Sequence, residues 1–469
     1  MNATQNTIPL KESLLGLYHQ HLQAIEGLSS HKLIHLRQKA LHEFERIGFP
    51  TSKLENWRFT DISQILSQNF EFDFRNQSRP FDLKEIFTCE VYDLDTYSLT
   101  LLNGWFVYQH TPLFKFDNGV IIGSLAKAME EFPEIVEKYL GSAASTPNAA
   151  FAALNTAFMQ DGLFVYVPKG VTVEKPIQLV NIVNSQVPLF LQPRSLVVAE
   201  AGSSVTLVHC DHALTHTPSV TNTVLEVFLH PEAQVDHYKV QNKGKSSALF
   251  TNTYFHLYEG SKVSSCIMTL NGGFTRNSVE INLLGTQSQA NLKGLYLADR
   301  SQFVDNQVQI NHSAPGCYSN QLFKGILDDQ AKAVFSGRIN VQRDAQKTQA
   351  YQNNKNLLLS EEAKINSQPH LEIYADDVKC SHGATIGQLE PNAMFYLRSR
   401  GISEKTARQL MMLAFADEVV KEISIEPLKQ KIGGMVEKRL KGELSICDQC
   451  VLHCKDNSPA TFNIDMNKL

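Results

Sequence analysis

Short apolar runs separated by polar turns dominate the middle of the chain. From about Phe164 onwards, β-branched and aromatic residues recur in brief stretches, with small or polar residues between them. This pattern is typical of strands, and the three- and four-residue spacing of an amphipathic helix is absent until after residue 390. Examples of such runs are 195–198, 205–208, 224–229, 254–258, 279–284 and 334–335.

The turns between these runs repeat. Similar turn sequences occur at 201–205, 231–235, 259–263 and 361–365. The valines that end the first three, Val205, Val235 and Val263, are 30 and 28 residues apart. A period of about 30 residues with two or more strands per unit predicts a β-solenoid, in which each unit buries its apolar face by stacking on its neighbours. An ordinary β-sandwich with similar turns is the alternative that this pattern leaves open.

Helical patterns are predicted before the strand region. Ser30 can cap a helix that Gly48 and Pro50 bring to an end. A second short helix is plausible at 123–139. The apolar residues of the first helix recur at helical spacing and are Leu33, Ile34, Ala40, Leu41, Phe44 and Ile47.

The chain turns helical again after Pro391. Ser403 is a good N-cap, and Glu404 follows it near the positive end of the helix dipole. A second helix is predicted from about residue 425 to 440, with an interruption at Gly433-Gly434. The residues expected on one apolar face of the first of these helices are Ala407, Leu410, Met411, Ala414 and Phe415.

These patterns divide the chain into four parts. Residues 1–120 are predicted to form a mostly helical N-terminal domain, and residues 121–390 the β-solenoid core. Residues 391–445 are predicted to form a helical C-terminal domain. Residues 446–469 are left as a polar, cysteine-containing tail.

Composition and charge narrow the classes of function. The chain has 469 residues, 43% of them hydrophobic, which is enough for two or three domains with a sizeable core. The formal net charge is −5 at pH 7 and the sequence contains no long run of Lys and Arg, so nucleic-acid binding is not expected.

The cysteine usage and the hydropathy indicate the compartment. The first apolar run is short and interrupted by Gly16, unlike a secretory signal, and no stretch approaches the roughly 18 apolar residues of a membrane span. Eight cysteines in so long a chain are too few for a disulfide framework. We therefore expect a cytoplasmic protein with free thiols and no membrane-spanning segment.

Cys380 and His382 are the first candidates for metal ligands. They are two residues apart, a spacing that puts both side chains on one face of a strand. Thiolate sulfur and imidazole nitrogen are both good ligands for iron. Because two ligands cannot complete a site, a partner or a second chain would have to supply the rest. The alternative is a buried cysteine and a hydrogen-bonded histidine with only a structural role.

The C-terminal tail holds a second candidate. Cys447, Cys450 and Cys454 form a C-x2-C-x3-C sequence, a spacing that suits zinc or an iron–sulfur cluster. His453 is a conceivable fourth ligand, although nothing in the sequence secures it. The alternative is a reactive tail that binds no metal.

Three other motifs are weaker. His209 and His212 are three residues apart on a predicted strand and should point to opposite faces, so solvated strand-edge histidines are favoured over a metal site. His31 and His35 have helical zinc-ligand spacing but no evident third ligand, which favours an exposed helix face. The segment 244–246, Gly-Lys-Ser, resembles the end of a phosphate-binding loop but lacks its first glycine and the following helix, so ATP binding is not expected.

Two segments of the chain form a distinctive signature: 379–385, Lys-Cys-Ser-His-Gly-Ala-Thr, and 395–401, Phe-Tyr-Leu-Arg-Ser-Arg-Gly. In these segments the sequence resembles the SufB/SufD family, the scaffold subunits of the SUF iron–sulfur cluster assembly system. The resemblance is strong from about residue 140 to 430 and weaker before it. Further similar segments are 155–158 with 161–162, 168–171, 312–321, 324–325 and 352–360.

Two features resemble the SufD branch of this family more than the SufB branch. Ser-His-Gly-Ala-Thr at 381–385 is the SufD form, whereas the SufB branch carries His-Glu-Ala-Thr. The SufB branch also has a cluster-building cysteine just before a Leu-Leu pair. Here the run 352–359 contains no cysteine, and Asn354 stands near that position. The resemblance therefore implies that a partner supplies the main sulfur acceptor.

The resemblance implies a fold and a set of partners. It implies a right-handed parallel β-helix core and a C-terminal helical domain that docks a SufC-type ABC ATPase, for which the helix 403–420 is the candidate. It implies pairing with a SufB-type subunit near the end of the β-helix, where His382 would face the SufB cysteine and Cys380 is the secondary candidate. In isolation, the open pairing edge makes a homodimer possible.

The function implied is that of a non-catalytic scaffold. The chain would help to build or hold a nascent iron–sulfur cluster, or supply iron to it, at a transient site shared with its partner, and would bind no ATP itself. The family gives no role to Cys447, Cys450 and Cys454. Two alternatives stay open: a β-helix carbohydrate-active enzyme, and a stand-alone metal carrier that uses these tail cysteines.

Overall fold

The computed structural model describes residues 10–27, 30–74, 79–80, 95–108, 111–144 and 149–442. The helices are α1 Leu10–Gln20, α2 Leu22–Glu26, α3 His31–Ile47, a 3-10 turn Glu55–Trp57, α4 Ser63–Leu66, α5 Leu125–Glu131, α6 Pro133–Tyr139, α7 Ala150–Phe158, α8 Pro391–Ser399, α9 Glu404–Val420 and α10 Glu426–Lys441. The strands before the regular repeat are β1 Arg79–Pro80, β2 Tyr97–Leu102, β3 Trp105–Tyr108, β4 Leu113–Lys115, β5 Ile121–Ser124, β6 Leu163–Val167, β7 Ile177–Val183, β8 Leu189–Leu191 and β9 Arg194–Ala199.

The strands of the regular repeat are long and evenly spaced. They are β10 Ser204–Ala213, β11 Ser219–Leu229, β12 Gln234–Asn242, β13 Ser247–Leu257, β14 Lys262–Asn271, β15 Phe274–Leu283, β16 Gln289–Ala298, β17 Phe303–His312, β18 Tyr318–Leu327, β19 Lys332–Val341, β20 Thr348–Leu358, β21 Lys364–Ile373 and β22 Val378–Gly387. Even-numbered strands from β10 onwards lie in one sheet, which we call the first sheet, and odd-numbered strands lie in the second sheet.

The chain forms a parallel β-solenoid of about eight turns. It alternates between the two sheets, and every strand from β10 to β22 pairs in parallel with the strand two places along in the chain. The prediction of a β-solenoid is thereby confirmed over the β-sandwich alternative, in which neighbouring strands would be antiparallel. The few antiparallel pairs of the described residues, β2 with β3, β4 with β5 and β5 with β6, lie at the start of the solenoid.

The sequence repeat corresponds to the register of the first sheet. Val205 pairs with Val235, which pairs with Val263, so the three valines stack in one inward-facing column. The fourth similar turn, 361–365, precedes β21 in the second sheet and therefore lies at the opposite corner of the solenoid. The sequence repeat therefore correctly predicted that successive turns stack. Three of the four similar turn sequences lie at one corner of the solenoid, and the fourth lies at the other.

Helix and strand elements interleave near residue 120. The strand β2 already pairs with β7 of the first sheet, and the helices α5 to α7 follow it in the chain. The short helix predicted at 123–139 forms as two helices, α5 and α6, because Pro133 begins a new helix after Phe132. The strand β5 takes the first residues of that predicted range, up to Ser124.

The first predicted helix is confirmed as α3. The hydroxyl of Ser30 accepts a hydrogen bond from the Leu33 amide at 3.3 Å, and Gly48 ends the helix with a φ of 65°. His31 and His35 are exposed on its surface, as expected. None of the helices in the described ranges combines the length and the hydrophobicity that a membrane span requires.

The N-terminal helices are fixed to the outer face of the second sheet by a fully buried ion pair. A guanidinium nitrogen of Arg194 lies 2.6 Å from the carboxylate of Glu226, and both side chains are 0% exposed. Arg194 also donates to Asn155 at 3.1 Å and to Thr156 at 2.9 Å, both in α7. The carboxylate of Glu226 accepts the backbone amides of 141, 143 and 144 at 2.9 to 3.1 Å. Both oxygens of the Glu226 carboxylate thus accept hydrogen bonds, which offset the free-energy cost of burying its charge.

A second buried carboxylate organises the neighbouring strand. Asp161 accepts hydrogen bonds from the Ser124 hydroxyl at 2.9 Å and from the amides of Ala126 and Gly162 at 3.0 and 2.7 Å. Burial raises the pKa of this carboxyl, while these donors oppose the rise. A Cβ on Gly162 would lie 1.7 Å from the carbonyl oxygen of Arg194, so only glycine fits there. The similar segments 155–158 and 161–162 are therefore structural.

The C-terminal helices pack on the outer face of the first sheet. The Tyr238 hydroxyl and the Ser424 hydroxyl lie 2.8 Å apart, just before α10. Near the end of α10, Arg439 pairs with Asp299 at 2.8 Å and donates to the Leu270 carbonyl at 2.8 Å. Apolar side chains of α9 and α10 fill the interface between these polar contacts.

The structure decides two details of these helices that the sequence pattern left open or gave differently. The buried stripe of α9 consists of Ala407, Met412, Ala416, Val419 and Val420, so only Ala407 of the apolar face read from the sequence is fully buried, and Leu410 and Ala414 are exposed. The helix is apolar on more than one side, so its packing against β16, β18 and α10 decides which side is buried. The helix α10 also runs on through Gly433-Gly434, so the predicted interruption there is wrong.

We predict that Arg194→Met destabilises the protein by about 3–5 kcal/mol, because Glu226 would be left as a buried charge without its cation. Chemical denaturation of the full chain measures the free energy of unfolding. The matched control is Arg46→Met, which removes the exposed Arg46–Glu43 pair and should change the free energy of unfolding little. Equal effects of the two substitutions would contradict the importance of the buried pair.

Candidate functional site

The last turn of the solenoid is left open at both sheets. In the part of the chain that the structure describes, β22 has β20 as its only strand neighbour and β21 has β19. The outward edges of both strands therefore present backbone amides and carbonyls that no described strand pairs with. Large apolar side chains at this end are also exposed: Ile373 by 40%, Tyr374 by 63% and Ile386 by 50%.

Cys380 and His382 both lie on the edge strand β22. Cys380 stacks on Ala350 of β20 and packs against an apolar cluster at this end of the interior, which includes Ile339 and Val341. Because side chains alternate along a strand, His382 points to the same face, as its spacing predicted. His382 is nevertheless exposed, since no later turn among the described residues covers this column.

The two side chains differ in their electrostatic surroundings. Cys380 is half-buried, and burial raises the pKa of its thiol above the ordinary value. Burial therefore favours the protonated thiol. Since the thiolate is the form that binds metal, Cys380 would have to lose this proton when a metal cation binds. The exposed imidazole of His382 is open to any partner that covers the edge. Whether these two residues hold iron stays a prediction.

Two buried amides lie beneath His382. Gln352 pairs with His382 in the strand register, and Gln321 pairs with Gln352. Both glutamines are fully buried, and among the residues that the structure describes neither amide has a hydrogen-bond partner for its nitrogen or its oxygen. The room for the Gln352 side chain is provided by Gly337, where a Cβ would lie 1.5 Å from the amide nitrogen. Sequence reasoning missed this pair, whose only signal was the glutamines' period of about 30.

Asn354 is a structural residue. Its amide nitrogen donates to the Tyr296 hydroxyl and the Phe323 carbonyl, both at 3.2 Å. Its amide oxygen accepts the Ser367 hydroxyl at 2.7 Å, which connects the two sheets across the interior. The position at which the SufB branch was expected to carry its cysteine thus holds a fully buried amide in a closed network.

No three His, Cys, Asp or Glu side chains converge as a metal site within the described ranges. Cys380 and His382 are therefore two candidate ligands, and the described residues place no third candidate beside them. Cys447, Cys450 and Cys454 lie outside the described residues, and their metal binding remains a prediction.

The histidines of β10 are buried, and the expectation that they are solvated is wrong. His209 faces the interior, where its ring lies 5.2 Å from that of His237 and beside Lys239. Burial, reinforced by the charge of Lys239, lowers the pKa of His209 to about 3. His212 is buried on the opposite face, as the alternation predicted. A strand in the middle of the stack is covered on both faces, which the local sequence did not reveal.

The Gly-Lys-Ser segment at 244–246 forms a tight connection between β12 and β13. The Ser247 amide donates to the Gly244 carbonyl at 3.0 Å, and the chain continues directly into a strand. A phosphate-binding loop instead requires a helix whose N-terminus faces the phosphates. The geometry therefore agrees with the expectation that this segment is not such a loop.

The C-terminal helices present an exposed apolar surface. Phe395 and Tyr396 of α8 are 74% and 57% exposed, and Leu410 of α9 is 45% exposed. We call these three residues the α8–α9 patch. The helices α8 and α9 contact each other, and large exposed apolar side chains on adjoining helices are typical of a surface that binds another protein.

Lys324 connects this helical region to the solenoid, and sequence reasoning had noted it only as part of a similar segment. It is nearly buried on β18, where its ammonium group donates to the Phe415 carbonyl at 2.8 Å and pairs with Glu418 of α9. It also lies 4.1 Å from the centre of the Phe415 ring. Lys355 of β20 lies 3.6 Å from the same carboxylate. The available signal was a lysine within the apolar second half of β18.

The described residues define a class of protein: a β-solenoid with helices packed on the outer faces of both sheets and a last turn that no described strand covers. Comparison with known families supports a specific assignment. The family model "SufBD protein N-terminal region" matches residues 9–179, and "SUF system FeS cluster assembly, SufBD core domain" matches residues 181–415. The chain therefore belongs to the SufB/SufD family of iron–sulfur cluster assembly proteins.

Individual relatives agree with this assignment. An iron–sulfur cluster assembly SufBD family protein of Synechocystis is 30% identical over 424 residues, which cover 88% of this chain and 93% of that protein. SufD of Escherichia coli is 28% identical over 452 residues, covering 93% and 99%. SufD of Bacillus subtilis is 29% identical over 425 residues, covering 87% and 94%. The resemblance to the SufD branch is confirmed, and the carbohydrate-active enzyme is no longer favoured.

We predict that the buried histidine His312 makes stability depend on pH. Burial lowers its pKa to about 4, so the folded state keeps it neutral while the unfolded chain takes up a proton below about pH 6.5. The contribution of neutral His312 to the free energy of unfolding is fully present above pH 6.5. As the pH falls from 6.5 towards 4, this contribution decreases by roughly 1.4 kcal/mol per pH unit. Unfolding free energies measured from pH 7 to 4 should therefore fall less steeply for His312→Gln.

The control for this prediction is His35→Gln. His35 is exposed on α3 and stays in water in both states, so its removal should leave the slope unchanged. An unchanged slope in His312→Gln would show that this imidazole does not resist protonation in the folded protein.

Proposed function

We propose that this chain is a non-catalytic SufD-type scaffold subunit that completes an iron–sulfur cluster assembly site together with a SufB-type subunit. The observation that carries the proposal is the exposed His382, two residues from Cys380, on the strand β22, whose outer edge has no strand neighbour among the described residues. Histidine nitrogen and cysteine sulfur are both ligands of iron. Iron or a nascent cluster is the cargo of this site, and the expected compartment is the cytoplasm.

The incompleteness of the site supports a shared one. The Cys380 sulfur and a His382 ring nitrogen would fill only two coordination positions of an iron centre. The described residues provide no third ligand beside them. A partner strand laid along β22 would bring its own side chains directly opposite His382 and Cys380. The absence of a cysteine in 352–359 supports the further view that the partner carries the sulfur acceptor.

The open edges of β21 and β22 also support pairing with a SufB-type subunit. Ten-residue strands β21 and β22 would each gain a ladder of backbone hydrogen bonds from a partner, and Ile373, Tyr374 and Ile386 would be covered. A second copy of this chain presents the same edge, so a homodimer would form in the absence of the partner. The heterodimer is the functional form because only it brings in a sulfur acceptor.

The α8–α9 patch is the proposed docking surface for a SufC-type ABC ATPase. It lies on the helices that Lys324 and Lys355 tie through Glu418 to β18 and β20. The strand β20 also pairs directly with the edge strand β22. A movement of α9 on ATP binding by the docked subunit would therefore reach the shared site through two strands and shift the scaffold between two states.

We predict that His382→Ala abolishes or strongly reduces cluster formation in a complex co-expressed with SufB-type and SufC-type subunits, because the exposed ligand is lost. The complex is purified anaerobically, and cluster formation is followed by its visible absorption and by iron and sulfide content. The matched control is His370→Ala, which removes a histidine from the neighbouring edge strand β21 and should leave cluster formation intact.

Size-exclusion chromatography separates loss of the site from loss of the complex. If the His382→Ala complex keeps its three subunits and assembles clusters at the normal rate, His382 is not a ligand. If the isolated chain alone builds and keeps a cluster at this position, the site is not shared and the proposal is wrong.

We predict that Leu410→Glu weakens binding of the SufC-type ATPase, because it places a charge in the α8–α9 patch. The matched control is Leu284→Glu, a leucine that is 40% exposed on the solenoid compared with 45% for Leu410. Affinity is measured by titration of the purified ATPase. Equal affinities for the two variants would remove the patch as the docking surface, while the proposal for His382 would stand.

A further inference from the structure

A cleft lies at one corner of the solenoid, where strands of the first sheet end and strands of the second sheet begin. It has a volume of about 380 Å³, and one of its walls is formed by residues of the segment 64–70, which includes the end of α4. The other wall comes from four consecutive turns of the solenoid. The residues of this second wall are 219–220, 245–248, 273–274 and 300–302.

The cleft combines apolar side chains with two cations. The cations are Lys245 and Arg300, and both residues are exposed. The lining contains no carboxylate, and neither cation belongs to an ion pair among the described residues. The carboxylate of Asp329 accepts the backbone amide of Arg300 at 3.0 Å and is not part of the lining. The apolar residues of the lining are Ile65, Phe70, Val220, Ala248 and Phe274.

The helix α10 ends at the same corner. Arg439, in its last turn, donates to the side chains of Asp299 and Gln302 at 2.8 and 3.1 Å, and Gln302 belongs to the wall of the cleft. The described chain ends at Gly442, about 5 Å of helix rise beyond Arg439. The residues that follow α10 therefore leave the described structure beside this cleft.

These following residues have the composition that the cleft requires. The segment 443–448 is Glu-Leu-Ser-Ile-Cys-Asp, which has a carboxylate at each end and no cation. Leu444 and Ile446 are two residues apart, so they would share one face of an extended chain. The segment thus offers apolar side chains to an apolar lining and negative charges to two unpaired positive ones.

The spacing of the charges also agrees. Glu443 and Asp448 are five residues apart, which separates them by about 17 Å in an extended chain. The turns that carry Lys245 and Arg300 are two apart in the stack, so their backbones are separated by roughly 10 Å. The long, flexible side chains of the two cations can span the difference.

We propose that the segment 443–448 of this chain docks in the cleft, with Glu443 beside Arg300 and Asp448 beside Lys245. The order follows from the position of α10, which ends at Gln302, close to Arg300. The docked segment would connect the cysteine-bearing end of the chain to the N-terminal segment 64–70. This docking does not depend on the function proposed for the open end of the solenoid.

Disulfide trapping in the full-length chain tests the docking. Ser246→Cys places a thiol next to Lys245, where Cys447 is expected. The dilute protein is oxidised in a glutathione buffer, and linked peptides are identified by mass spectrometry. We expect one intramolecular disulfide, to Cys447, to form faster than those to Cys450 and Cys454.

The matched control for position is Ser301→Cys. Ser301 lies next to Arg300 and therefore closer to the end of α10, and it is exposed like Ser246. An undocked tail would reach this position at least as readily as position 246. A docked segment should instead link Cys447 to position 246 in preference to position 301.

Charge reversal tests the ion pairs. Arg300→Glu in the Ser246→Cys chain should slow formation of the Cys447 disulfide about threefold or more, because an attraction becomes a repulsion. The further change Glu443→Arg should restore the rate. The matched control is Lys262→Glu, which changes the net charge equally at an exposed lysine outside the lining and should leave the rate unchanged.

Three results would overturn the proposal. Equal trapping of all tail cysteines at both positions, unaffected by Arg300→Glu, would show that the segment does not occupy the cleft. Disulfide-linked dimers whose yield falls on dilution would identify a second copy as the occupant, and a folded variant that forms no disulfide would exclude the contact. If Ser246→Cys does not fold, Gln68→Cys on the opposite wall replaces it, with the same dependence on Arg300 expected.

Discussion

The stacking of parallel turns is the constraint on which the rest of this structure depends. Each turn buries its apolar side chains and satisfies its backbone only through the turns before and after it, so the two ends of the stack need separate solutions. At the start, the strands β2 to β5 and the N-terminal helices cover the first turns. At the other end, β21 and β22 remain uncovered within the described residues. This asymmetry places the candidate site at one end of the molecule.

Buried charges decide how the helical regions sit on the solenoid. Arg194 with Glu226 fixes the N-terminal helices to the second sheet, and the buried ammonium of Lys324 fixes α9 to the first through the Phe415 carbonyl and the partly exposed Glu418. A buried charge tolerates only the geometry that satisfies all of its hydrogen bonds, so these pairs specify position more than they add stability. The apolar contacts around them are less selective, as α9 illustrates, because it carries apolar residues on more than one side and buries only one of them. Its exposed residue Leu410 becomes available to a partner for the same reason.

The candidate site could be predicted in part. Alternation along a strand was enough to place Cys380 and His382 on one face, and the missing cysteine in 352–359 was visible directly. The exposure of His382 depends instead on its strand being the last, since the same position one turn earlier is the fully buried Gln352. The burial of His209 has the same origin, because its strand is covered on both faces.

The sequence by itself determined the repeat, the caps of α3 and α9 and the family to which the chain belongs. These features are local: a turn, an N-cap or a two-residue alternation is encoded by neighbouring residues and read without knowing the rest of the fold. Only the tertiary structure decided which side of α9 is buried, that α10 runs through Gly433, and that Lys245 and Arg300 line one cleft. Such features join residues far apart in the chain, and their energies depend on burial that appears only when the turns have stacked.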